Sequence, residues 1–186
     1  RARHARATLD RKRTTMREAT VAELHACFLD GPPPPGLAGT VERELGRAFL
    51  EIARVPEGTR ALLETLARRR PLALLSNFFL TPPIEELLER ARIRDLFAHV
   101  EVSATSGFVK PHATPFARVR EALGLDGAPA LMVGDDFWAD VVGGHRAGFR
   151  TALTHEHRQD LPSDPEAPGV KPDRILRSLH ELADES

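Results

Sequence analysis

Three short stretches of the chain gather side chains that could act together. In Leu74-Leu75-Ser76-Asn77 a hydroxyl and an amide follow an apolar run; in Ser106-Gly107-Phe108-Val109-Lys110-Pro111 a lysine sits just before a helix entry; in Met132-Val133-Gly134-Asp135-Asp136 two acids follow another apolar run, with Asp140 a turn further on. Lys12, Lys110 and Lys171 are the only lysines in a chain whose cationic charge is otherwise arginine, so Lys110 stands apart from its background. An ammonium and a hydroxyl can hold phosphate oxygens, and clustered carboxylates repel one another unless a hard cation such as magnesium lies between them. Singly, each feature has a plainer use: Ser or Asn after a strand makes a turn, Lys-Pro enters a helix, and Asp caps one. Together they point to metal-assisted chemistry on a phosphate.

The elements that must position these residues follow from periodicity. Leu72 to Leu75 is an apolar run too short for a helix and reads as a buried strand; further strands are expected at His99 to Val102, Ala130 to Val133 and Arg150 to Thr154, with a brief run at Arg174 to Leu176. Helices are expected around Leu62, Leu63 and Leu66, from Pro83 to Arg92, from Pro115 to Leu123 and from Phe137 to Ala147, with a closing helix after a polar, proline-rich loop from Leu161 to Pro172. Strands alternating with helices of this length imply an α/β fold, a Rossmann-like parallel sheet with helices on both faces. In such a sheet ligands bind outside the carboxyl ends of the strands, where all three stretches fall.

Residues 1–54 read differently, as a small helical cap. Thr20 can cap a helix that places Leu24, Cys27 and Phe28 on one face, the run Gly31 to Gly36 with its four prolines ends it, and Leu45, Phe49 and Ile52 mark a second helix. Residues 55–186 form the α/β core. The stretch Arg1 to Thr20 carries a local excess of five positive charges within a chain of net charge -1. No aromatic residue interleaves with it to stack bases, so a solvated arginine face is expected and nucleic acid is not a partner. With 186 residues, 41% hydrophobic and 28% charged, the composition is that of a soluble globular protein, and no apolar run is long enough to span a bilayer. Cys27, the single cysteine, has no internal partner and reads as a buried, inert thiol in a reducing, cytoplasmic compartment. Nothing in the sequence indicates a homodimer.

The order and spacing of the three stretches resemble the haloacid dehalogenase (HAD) superfamily. Ser76 matches the strand-ending Ser or Thr of its second motif, Gly107 to Pro111 its Gly-x-x-Lys-Pro, and Gly134-Asp135 with Asp140 its Gly-Asp and later acid; Val55-Pro56-Glu57-Gly58 and Ala147-Gly148-Phe149 also fit. The resemblance covers about Val55 to Leu182. It implies that Ser76 and Asn77 bind the phosphoryl group, that Lys110 neutralises nucleophile and phosphate, and that Asp135 and Asp140 hold Mg2+, with Asp136 as cap or alternate ligand. Trp138 could border the substrate mouth or simply pack.

The family's first motif, an apolar strand ending in Asp-x-Asp that supplies the nucleophile, has no counterpart. Asp10 lies among Arg11, Lys12 and Arg13 without an apolar run ahead of it, and Asp30 would require Phe28 as nucleophile; Phe28 to Asp30 reads instead as a helix end. The expectation is a first motif upstream of Arg1 in a longer protein. The resemblance then implies a cytoplasmic, magnesium-dependent phosphatase acting on a small phosphomonoester through an aspartyl-phosphate. The alternatives are a 2-haloacid dehalogenase-like hydrolase, or a non-catalytic binding or regulatory protein if the chain starts at Arg1.

Overall fold

The computed structural model describes residues 14–28 and 33–183. Asp10, Asp30 and the greater part of the basic stretch lie outside the described residues, as does the side chain of Cys27. Helix α1 (Val21–Phe28) begins at the expected cap: the Glu23 amide donates to Thr20 Oγ1 and the Glu23 carboxylate accepts the Thr20 amide, a reciprocal pair that satisfies two helix-end donors. Helix α2 (Leu37–Ile52) follows the proline run and crosses helix α4 (Thr81–Arg90) closely at Gly46, where a Cβ would stand 2.9 Å from Pro83 Cγ. Between them come α3 (Thr59–Ala67) and strand β1 (Ala73–Ser76).

The core continues with a 3-10 turn (Arg94–Leu96), β2 (His99–Val102), the one-turn helix α5 (Ser103–Ser106), α6 (Ala113–Ala122) and β3 (Leu131–Gly134). The single long helix expected from Phe137 is instead a π-helical segment (Phe137–Val142) running into α7 (Gly143–Arg146). Beyond it lie β4 (Arg150–Thr154), β5 (Arg174–Leu176) and, where a closing helix was expected, a 3-10 turn (Leu179–Leu182).

All strand pairs are parallel, and the architecture is α/β as expected. The strands form two sheets rather than one. β1 pairs β2 with Ser76 opposite Val102, while β4 lies between β3 and β5, with Gly134 opposite Leu153. Each sheet has its own core. Ile84, Leu88, Ile93 and Val102 are buried beside β1 and β2, with Phe49 of α2 packed against them; Phe137, Val141, Val142, Leu153 and Ala167 are buried beside β3 and β4. Among the described residues no strand pairs with the free edges of β1 and β3. A cavity of about 460 Å3 is lined by Ala73 and Leu75 of β1 and by Leu131, Met132 and Val133 of β3, with Val119, Leu123 and Phe149.

Candidate active site

Lys110 joins the two sheets. Its Nζ donates to the Leu75 carbonyl of β1 at 2.8 Å and to Asp140 Oδ1 at 2.7 Å, next to the end of β3. The ammonium and carboxylate are both buried, with side chains 10% and 4% exposed, so the pair is poorly screened. Two of three ammonium protons are thereby committed, leaving one donor for a ligand.

The backbone of Lys110 is equally fixed. Asn77 Nδ2 donates to the Lys110 carbonyl at 3.1 Å, and the Lys110 amide donates to Asn77 Oδ1 at 2.7 Å. The side chain expected to offer donors to a phosphate is thus occupied in holding Lys110. Ser76, at the end of β1, has no hydrogen-bond partner for its hydroxyl among the described residues. On the other side of Lys110, the Val109 amide donates to the Met16 carbonyl at 2.8 Å and the Glu18 amide to the Gly107 carbonyl at 2.9 Å. Glu18 also accepts a short hydrogen bond from the buried Ser103 hydroxyl.

The acids after β3 have three different environments. Asp140 tucks beneath the strand end because residue 134 is glycine: a Cβ there would lie 2.0 Å from Asp140 Oδ2, an overlap no side chain could accept. That same oxygen accepts the Asp136 amide at 3.0 Å. Asp136 caps the π-helical segment through the Ala139 amide at 2.8 Å and receives Arg158 Nη1 on its other oxygen at 3.0 Å. Asp135, half-buried, has neither a hydrogen bond nor an ion pair among the described residues. Trp138 packs on the second core under the Arg146 guanidinium, 5.0 Å from its ring centroid.

Two residues that the strand-end reading omits complete the surroundings. Arg158 Nε donates to Asp160 Oδ1 at 2.6 Å, and Asp160 Oδ2 accepts the Phe137 amide at 3.1 Å, so the loop after β4 is tied to the acidic turn. Burial acts to lower the Arg158 pKa, but its hydrogen bonds to Asp136 and Asp160 and their charges together raise it. The signal was available: this loop also follows the carboxyl end of a strand. His155, in the same loop, bonds the Asp160 carbonyl at 3.1 Å, and Glu156 accepts the Leu179 amide.

No trio of His, Cys, Asp or Glu side chains is gathered as a metal cage among the described residues. Magnesium commonly uses one or two carboxylates, completing its octahedron with water and phosphate oxygens, and the Asp135 carboxylate, half-buried and without a hydrogen bond among the described residues, suits that chemistry. A cleft of about 650 Å3 between α2 and α4 is lined by Arg43, Arg47 and Arg90 among others and includes none of these residues.

A parallel α/β core with lysine and carboxylates converging at strand ends defines a class of hydrolytic domain. The chain belongs to the haloacid dehalogenase-like hydrolases, whose family model matches residues 11–148. It is 30% identical over 146 residues to the pyrimidine 5'-nucleotidase YjjG of Escherichia coli, an alignment covering 77% of this chain and 62% of the relative. It is 34% identical over 145 residues to a phosphoserine phosphatase of Thermus thermophilus, covering 75% of this chain and 55% of that protein. In fold it matches a 2-haloacid dehalogenase of Pseudomonas syringae with TM-score 0.70 and 20% identity, covering 97% of this chain and 76% of the other. The chain therefore spans less than two thirds of the length of these two curated relatives. No helix among the described residues is long and apolar enough to cross a membrane.

Proposed function

We propose that the intact protein is a cytoplasmic, magnesium-dependent phosphatase acting on a small phosphomonoester. The observation that carries this reading is Lys110, held between Leu75 O and Asp140 with the unpaired Asp135 carboxylate close by in sequence. Lys110 has one uncommitted proton for an anionic oxygen, and the free Ser76 hydroxyl supplies a second donor. Magnesium bound by Asp135 and Asp140 would supply electrostatic stabilisation of the phosphoryl oxygens. In the intact protein the nucleophilic aspartate would lie on a strand between the free edges of β1 and β3; its attack on phosphorus would displace the substrate's alcohol and form an aspartyl-phosphate, which water would hydrolyse to inorganic phosphate, freeing the aspartate.

The matched relatives include a nucleotidase, a phosphatase and a dehalogenase fold, and the chemistry of the site supports the phosphatase reading. Carbon-halogen displacement uses no cation, and Asp135 would then add an unrelieved negative charge beside Asp140. Hydrolysis of p-nitrophenyl phosphate by the protein with its upstream segment, abolished by a chelator and restored by Mg2+, is the expected result. Chelator-insensitive halide release from a 2-haloacid would establish the dehalogenase. The absence of both activities, with retained ligand binding, would establish the non-catalytic protein. Replacing Lys110 with Met should lower kcat by about 10^2 to 10^3, the scale for losing one preorganised charge donor.

A further inference from the structure

We propose that Glu18 is a positioning residue for Lys110, latching a strap, residues 16–18, that makes the root of α1 and the lysine-bearing loop one unit; its effect on substrate rests on the phosphatase reading. Lys110 is reached through a weak element. Helix α5 is a single turn of four residues, too short for its own backbone hydrogen bonds to sustain in water. Glu18 holds that turn at both ends. Its carboxylate takes a short hydrogen bond from Ser103, the first residue of the turn, whose one hydroxyl proton is shared with the Phe78 carbonyl at 3.1 Å. Its amide donates at 2.9 Å to the carbonyl of Gly107, the left-handed residue that ends the turn. Because Ser103 is buried and its acceptor is a carboxylate, the latch is a charge-assisted bond that water does not readily replace. The strap then runs along the loop. The Met16 carbonyl accepts the Val109 amide at 2.8 Å, so Arg17 and Phe108 stand opposite each other in an antiparallel bridge that stops directly before Lys110. Phe108 in turn stacks on His112, the cap of α6, with ring centroids 4.1 Å apart. Two residues after Glu18, Thr20 opens α1 in its reciprocal pair with Glu23, so movement of α1 is passed to the strap. Asn77 holds the Lys110 backbone from one flank, and the strap that Glu18 latches holds it from the other.

The test uses the protein with its upstream segment and its Glu18→Ala, Glu18→Gln and Ser103→Ala variants. Leu176→Ala, fully buried in β5 of the other sheet, is the control for lost stability. Inorganic phosphate, measured as a competitive inhibitor of p-nitrophenyl phosphate hydrolysis, reports the Lys110 donor. A loosened lysine must be ordered again when an anion binds, so the phosphate Ki should rise about three- to tenfold in Glu18→Ala and Ser103→Ala. It should stay near the wild-type value in Glu18→Gln, whose amide oxygen still accepts the Ser103 proton. Leu176→Ala should lower the folded fraction, and with it the apparent kcat, without moving Ki. Hydrogen exchange reads the strap without substrate: the Val109 amide should lose protection in Glu18→Ala and Ser103→Ala and keep it in Glu18→Gln. Unchanged Val109 protection in both alanine variants overturns the latch, and faster exchange with an unchanged Ki overturns the positioning role. If the wild type neither hydrolyses the ester nor binds phosphate, the phosphatase reading fails and exchange decides the latch alone. Loss of Val109 protection in the two alanine variants then upholds it, and retained protection overturns it.

Discussion

The two sheets contain strands of similar composition in very different surroundings. In β4, Thr151, Ala152, Leu153 and Thr154 are all buried, Leu153 completely. β1, of sequence ALLS, and β3, of sequence LMVG, are at least as apolar, yet every one of their residues is only half-buried. β4 is flanked by β3 and β5, whereas among the described residues β1 and β3 each have one strand neighbour and one side facing the cavity. Burial here is decided by place in the sheet, and the two under-buried edges line one cavity. Lys110 connects them, so its removal is the strongest way to break the difference. Lys110→Met leaves the buried Asp140 charge without its partner and should cost about 3–5 kcal/mol in urea unfolding. Adding Asp140→Asn should recover most of that loss; a double variant no more stable than the single one would mean that Lys110 acts on the sheet edge through Leu75 alone.

Next in size comes a direct comparison of burial. Leu153→Ala in β4 should cost about 2–5 kcal/mol, because a closed core leaves a cavity in place of the side chain. Leu75→Ala, on the wall of an existing cavity, should cost roughly half as much. Equal losses in denaturant titrations would show that the cavity wall is as tightly packed as the second core. Asn77→Ala is smaller again. It removes both hydrogen bonds to the Lys110 backbone, but Asn77 is exposed and water can replace them, so about 1 kcal/mol is expected. The amides of Val109 and Lys110 should also exchange faster in that variant, since they belong to the segment Asn77 holds.

The fold was legible in the sequence wherever period and capping agreed. Strands ending at Ser76, Val102 and Thr154 were expected within a residue of where they lie, and the Thr20 cap opens α1 as read. The π-helical turn was not legible, because it results from tertiary placement: Asp140 must reach back under Gly134, and Gly143 must admit Phe116, whose ring atom would stand 2.7 Å from a Cβ there. Division into two sheets was implicit in the lack of an apolar run ending in Asp-x-Asp, but periodicity reports strands and not their partners. Of the strand-end residues read from type and spacing, the structure brings Lys110 and Asp140 into contact and sets the Asp136 amide on Asp140. Arg158 and Asp160 were not legible, because arginine and aspartate in a polar loop look like solvated charge until the loop is seen folded onto Phe137. Asn77 was found, but only contact geometry shows its amide facing the Lys110 backbone.

The smallest effect belongs to the fully paired side of the comparison, where Asp173 ties β5 to β4. Its Oδ2 accepts the Thr151 amide at 2.7 Å and the Thr151 hydroxyl at 3.2 Å. The Thr151 amide is the chief cause holding the Asp173 pKa below the ordinary aspartate value; burial opposes it, and the hydroxyl and the Arg150 charge assist. A carboxylate with a depressed pKa in the folded state stabilises fully above the ordinary aspartate range, and that stability is lost as pH falls through the depressed value. Because Asp173 is exposed, solvent screening keeps the contribution to about 1 kcal/mol or less. Asp173→Asn retains an acceptor and removes only the charge. At neutral pH the variant should therefore unfold at slightly lower urea than wild type, and the two midpoints should converge as the solution is acidified below the usual aspartate range. A gap that stays constant with pH would show that the carboxylate contributes through shape alone, and that the β4–β5 junction draws nothing from its charge.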